Sequence, residues 1–211
     1  MSKRLNINSV PALVGIVGPI VVIVGDLAAS LSTPGYSLVR DSVSSLALTG
    51  IGWLQSICFL AMALLLEIFV AGLFFNIHRA RGFHAGIILL ALCGFVLMLI
   101  ATFHMDHPGA PPIDGTIHTL ASYGLGLLFP IAILLLSPSF KSTPNWKNIF
   151  VYTLIAGVLA LALIVGAFFT EQRGWFGLYE RIIIGNALVW VEVVAVHFLR
   201  LLLRREPKPQ S

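Results

Sequence analysis

The sequence predicts an all-α protein, a polytopic membrane bundle of six transmembrane helices with both termini in the cytoplasm. Of its 211 residues, 58% are apolar and only 10% are charged, against roughly 25% charged in an ordinary soluble domain. The apolar residues also gather in six continuous stretches of about 20 residues, enough to cross the hydrocarbon core as a helix. They lack the alternation of a membrane barrel. The placement of Lys and Arg then orients the bundle.

The first span runs from Val10 to Leu31. Ser2-Lys3-Arg4 before it resembles the charged start of a signal peptide, and Ala28-Ala29-Ser30 resembles a cleavage site. The charge distribution favours retention of the span. Pro19 lies inside it, where a missing backbone donor favours a kink. Between Ser32 and Gly52 comes the longest loop, which is too short for a core of its own. Here Tyr36, Val39, Val43 and Leu46 recur at helical spacing, with Ser37, Asp41, Ser44 and Ser45 on another face. That pattern predicts a short amphipathic helix lying in the outer interface.

The remaining spans are Trp53 to Ile77, His84 to Phe103, His118 to Ser137, Ile149 to Thr170 and Ile182 to Leu203. Pro130 interrupts the fourth. Pairs such as Gly82 with Gly86 and Ala156 with Ala160 have the small-xxx-small spacing that lets helices approach closely in lipid. Residues 1–204 thus make one six-helix transmembrane domain, and 205–211, with two prolines and two basic residues, a solvated cytoplasmic tail.

Ten basic residues, Lys3, Arg4, Arg79, Arg81, Lys141, Lys147, Arg200, Arg204, Arg205 and Lys208, fall on the side of the termini, and only Arg40, Arg173 and Arg181 on the other. Positive-inside bias therefore predicts N-in, C-in and a multi-pass protein of the cytoplasmic membrane. No basic run interleaved with aromatics points to nucleic acid. Phosphate loops, dinucleotide fingerprints, nucleophile elbows and HExxH helices are absent from the sequence, as is a repeated half. Cys58 and Cys93 both lie in apolar stretches and form no CxxC pair.

Chemistry concentrates on the outer side. Phe103 to His118 carries His104, Asp106, His107, Asp114 and His118. Imidazoles and carboxylates are the usual ligands of zinc, and three protein ligands plus a water make an open, catalytic type of site. His104, His107, His118 and Asp106 are the candidate metal ligands, although their spacing matches no standard zinc signature. The alternative is that these histidines bond loop backbone while Asp114 or Thr116 caps the next helix. Arg181 opens the last span, where the helix dipole disfavours a cation, so it calls for an anionic partner. Glu180, Asp106 and Asp41 are candidates, either to lock the outer loops together or to leave Arg181 for an anionic ligand.

Asp26, inside the first span, needs pairing, protonation or water. Together, Asp26, Asp41, Ser45, Asp106, His118, Glu180 and Arg181 suggest an outer-face pocket for a lipid head group or small polar ligand. Deeper in the membrane, Glu67 and Glu192 form a candidate proton or cation relay. Otherwise they are protonated glutamates bonded between helices.

The chain resembles the bacterial and archaeal membrane proteins of domain of unknown function 998. Their pattern is a serine-rich S-x-L stretch after the first span, an F-P-x-D element leaving the third, a G-x-x-H element opening the fourth, and G-L-x-E-R opening the last, with a tryptophan beyond. The matches are Ser44, Ser45 and Leu46; Phe103 and Asp106; Gly115 and His118; Gly177, Leu178, Glu180 and Arg181; and Trp190. His104 departs from the pattern's proline and Ser45 from its frequent aspartate. The resemblance implies the architecture and no established activity. A more distant likeness, to the ceramidase and adiponectin-receptor zinc hydrolases, lacks their seventh span and their HxxxH pair.

Four functional readings follow: a binder of a lipid head group or small polar ligand, a zinc-dependent hydrolase of a lipid ester or amide, a proton- or cation-coupled transporter, and a scaffold or assembly subunit. Membrane lipids are the expected partners in each.

Overall fold

In the computed structural model, residues 9–109, 111–167, 169–170 and 173–205 are described, the last without its side chain. Six helices follow one another: α1 Val10–Ser32, α2 Gly52–Asn76, α3 Phe83–Thr102, α4 Pro112–Ser142, α5 Lys147–Ala167 and α6 Phe176–Arg205. There is no strand among the described residues. All six helices are long and apolar enough to cross a membrane, so the chain is a multi-pass membrane protein. The expected tail, 205–211, lies outside the described residues apart from the helical backbone of Arg205.

Each helix packs on the next in sequence, and α6 returns to α1, which closes a ring. The α1–α2, α3–α4 and α5–α6 connections share the end of the bundle away from the termini, here called the distal face. Leu31, Phe75 and Val24 are among the large apolar side chains left exposed on the outside, at 79%, 78% and 59%. For such faces the hydrocarbon of the bilayer is the solvent.

Two helices differ from their hydropathy spans. Helix α4 starts at Pro112, six residues before His118, and α6 starts at Phe176, six before Ile182. Hydropathy marks where polar residues begin, whereas helical hydrogen bonding runs on through Asp114-Gly115-Thr116 and through Leu178-Tyr179-Glu180-Arg181. Pro112 is well placed at the first turn, where its missing N–H has no partner to lose. The loop helix is also shorter than expected. It is a 3-10 helix over Val43–Leu48, while before it Tyr36 lies in irregular chain and Val39 in a turn. Serine competes for backbone groups here: the Ser45 N–H donates to Ser42 Oγ at 3.2 Å and the Ser45 hydroxyl to the Ser42 carbonyl at 2.6 Å, local bonds that favour caps and turns over continued helix.

Helices α3 and α4 approach closely because Gly86 carries no side chain. A Cβ there would come within 2.8 Å of Leu136 Cγ and 2.9 Å of the Ala132 carbonyl oxygen. Aromatic rings join α4 to α6. Phe140 stacks on Trp146 with centroids 5.4 Å apart, Trp146 meets Phe198 at 5.8 Å, and Phe129 meets Trp190 edge-on at 5.6 Å.

The α5–α6 contact is held by polar side chains. Tyr179 Oη donates to the Leu163 carbonyl at 2.9 Å, Asn186 Nδ2 to the Ala156 carbonyl at 3.2 Å and Trp190 Nε1 to Thr153 Oγ1 at 3.1 Å. Successive donors move down α6 as the acceptors move up α5, the register of an antiparallel pair. Ala156 and Ala160, both buried, keep that seam narrow. A double-mutant cycle of Trp190→Phe and Thr153→Val, read from unfolding in detergent, should give a coupling between about 0.6 and about 1.7 kcal/mol, the average and the largest values found for hydrogen bonds between membrane helices.

Candidate functional site

At the distal face the Arg181 guanidinium lies between α1, the first loop and α6. Its Nε donates to Asp26 Oδ2 and its Nη2 to Asp26 Oδ1, both at 3.1 Å, so the ion pair is bidentate. Nη1 donates to the carbonyls of Leu38, Asp41 and Gly177 at 3.1, 3.1 and 3.2 Å. Nη2 also reaches Tyr36 Oη at 2.8 Å and Ser30 Oγ at 3.3 Å. The two charged side chains keep only 16% and 14% of their exposure. Arg181 therefore pairs with Asp26, and none of Glu180, Asp106 and Asp41 is its carboxylate partner. Asp41 contributes its backbone carbonyl, and its own carboxylate accepts from the Ser37 N–H at 2.6 Å.

The rest of the α6 opening acts on the same loop. A Cβ on Gly177 would overlap the Asp41 backbone, the Leu178 N–H donates to the Val39 carbonyl at 3.0 Å, and Glu180 Oε2 accepts the Val43 N–H at 2.6 Å, capping the 3-10 helix. Tyr36 completes the arrangement by donating to the Ser42 carbonyl at 2.7 Å. Burial outweighs its bond to Arg181 and pushes the Tyr36 phenol above its usual range, so it remains a donor at neutral pH. The G-L-x-E-R pattern thus acts as a clasp on the first loop. Tyr36 and Ser30, which the sequence reading did not assign to the site, belong to it.

Asp106 and His118 form a second cluster, at the α3–α4 turn. His118 is 6% exposed, and its Nδ1 lies 2.8 Å from the Phe103 carbonyl. A carbonyl can only accept, so Nδ1 carries the proton. The Asp106 carboxylate rests on the first turn of α4, where a Cβ on Gly115 would overlap it. His104 Nε2 pairs with Ser56 Oγ at 3.0 Å, and the exposed His107 pairs through Nδ1 with the Met105 carbonyl at 3.2 Å. Among the described residues no three His, Cys, Asp or Glu side chains gather around one point where an ion could sit.

Glu67 and Glu192 lie apart from both clusters. A Cβ on Gly94 would overlap the Glu67 carboxyl, which places that group in the α2–α3 contact. Glu192 Oε2 is buried without a hydrogen-bond partner among the described residues. No hydrogen bond among those residues joins the two glutamates.

A cavity of about 280 Å³ opens inside the ring. Its walls are almost wholly apolar, with Phe59, Met62, Cys93, Phe129, Ile164 and Leu188 among them, and the polar side chains that reach it are Ser44, Ser122, Tyr123 and Glu180. Neither Glu67 nor Glu192 lines it. No local pattern in the sequence announces this space, because its wall comes from five helices and the first loop.

Two outcomes follow for the clusters. Removing one partner of a buried ion pair strands the other, so Asp26→Ala and Arg181→Met should each lower unfolding stability by about 3 to 5 kcal/mol. The double variant should lose clearly less than the sum, as read from thermal unfolding in detergent. Gly115→Ala should displace Asp106 and cost about 1 to 3 kcal/mol, and Asp106→Ala should relieve most of that loss in the same assay.

No curated protein and no solved structure matches the chain. Residues 16–197 match the family described as "Protein of unknown function (DUF998)", and the chain belongs to that family.

Proposed function

We propose that this membrane protein binds the hydrocarbon part of a lipid within its ring of helices, and that the distal clasp serves to hold the ring in the shape that accepts it. The observation that carries this reading is the apolar cavity of about 280 Å³. An engineered cavity of about 150 Å³ with similar walls stays dry and binds benzene. A hydrocarbon chain seated there makes dispersion contacts with walls that otherwise lack them. The lining also fits the chemistry of ligand sites, which are mostly apolar with a few converging polar groups.

The polar distal residues support the reading from the other side. Asp26, Asp41 and Arg181 are committed to one another and to loop backbone, which is the behaviour of a lock. Of the seven residues that the sequence suggests for a polar pocket, Glu180 lines the cavity. In this reading the ligand is contacted inside the ring rather than at the loop surface.

Trp190 provides an optical test, since it is 0% exposed and lies edge-on against Phe129 of the cavity wall. With Trp53, Trp146 and Trp175 replaced by phenylalanine, which leaves Trp190 as the single tryptophan of the four in the chain, 1-bromodecane added to the full chain in lipid nanodiscs should quench tryptophan fluorescence in a saturable phase. Ala187→Phe, on the cavity wall, should fill the space and remove that phase while circular dichroism keeps its helical signal. Non-saturable quenching of equal strength in native and filled proteins would sink the reading.

A further inference from the structure

We infer that the cavity takes a single-chain lipid with a primary amine head, which pairs with the Glu180 carboxylate at the distal end of the space. This rests on the hydrocarbon-binding reading above and adds the chemistry of the head. Among the described residues that line the cavity, Glu180 is the one Asp or Glu, and no Lys, Arg or His joins it. The wall therefore offers charge of one sign only, set in apolar surroundings.

Helix α6 fixes where that carboxylate stands. Its lining residues step from Glu180 through Ile184 and Ala187 to Val191, three or four positions at a time, so they form one stripe on the helix face turned to the cavity. Phe176, one turn before Glu180 on that face, also lines the space, as does Ser44 of the 3-10 helix whose Val43 N–H Glu180 accepts. Carboxylate, aromatic ring and hydroxyl thus share the distal end.

Glu180 lacks a countercharge. It forms no salt bridge among the described residues, and the neighbouring Arg181 is paired with Asp26 and does not line the cavity. The Val43 N–H takes one of the roughly four acceptor sites of a carboxylate, and a buried carboxylate is costly until an opposite charge meets it. A primary ammonium brings that charge together with N–H donors, in a charge-assisted bond about twice as strong as a neutral one, and the Phe176 ring is a surface that attracts a cation. A hydroxyl would donate without charge, and a carboxylate or phosphate head would set like charge against Glu180. The volume of about 280 Å³ is about twice that of an engineered cavity that takes benzene, room for one short chain.

The test uses competition in the single-tryptophan protein in phosphatidylcholine nanodiscs at pH 8. With 1-bromodecane bound, decylamine, decan-1-ol and decanoate are added at matched mole fraction in the disc, and recovery of Trp190 fluorescence is followed. Decylamine should reach half-recovery at about tenfold lower mole fraction than the alcohol or the carboxylate, the effect of one buried charge-assisted hydrogen bond. Glu180→Gln, which keeps an acceptor for the Val43 N–H, should bring decylamine level with decan-1-ol while 1-bromodecane still quenches saturably, a sign that the cavity is intact. Equal potency of decylamine and decan-1-ol in the native protein overturns the inference without any variant, and so does an amine preference that survives Glu180→Gln; both leave hydrocarbon binding in place. If 1-bromodecane does not quench the native protein saturably, hydrocarbon binding itself fails, and the amine inference fails with it.

Discussion

A guanidinium buried at the edge of a membrane must find acceptors for five N–H groups, and Arg181 finds them in seven atoms drawn from α1, the first loop and the first turn of α6. These groups are far apart in sequence, so satisfying one side chain brings the last helix back onto the first. The Asp26 carboxylate supplies the charge that makes burial tolerable, and the loop carbonyls supply direction. The closed ring of helices depends on this convergence, because hydrocarbon on both sides of an interface gives apolar helices little reason to prefer one neighbour over another.

Around the ring the same logic recurs with weaker bonds. Tyr179, Asn186 and Trp190 place three donors along the α5–α6 seam. The His118 imidazole and the Asp106 carboxylate fix the turn between α3 and α4. Polar side chains in this protein sit mostly at junctions between elements. The centre of the ring is left to apolar residues that do not fill it, and Glu180 stands where that space meets the distal clasp.

The short motifs acquire physical meaning in this arrangement. The glycine of G-L-x-E-R lets the Asp41 backbone approach α6, its leucine N–H bonds the loop, its glutamate caps the 3-10 helix and its arginine gathers the rest. The glycine of G-x-x-H makes room for Asp106, and the histidine holds the Phe103 carbonyl. Both patterns were legible in the chain as chemistry at one end of the spans. Their partners were not, since Tyr36 and Ser30 look like ordinary loop and helix-end residues until Arg181 reaches them.

The sequence by itself determined the class of molecule. A bilayer imposes a length and a hydropathy on each helix, and both are properties of a continuous stretch of chain. It also located most of the ionisable residues that had to be paired. Tertiary structure decided the pairing, choosing Asp26 over Asp41, Asp106 and Glu180 for Arg181, and dispersing the three histidines to Ser56, Met105 and Phe103. It decided the cavity as well. Hydrogen bonds and voids depend on distances between residues up to 155 positions apart, and those distances are set only when all six helices have packed.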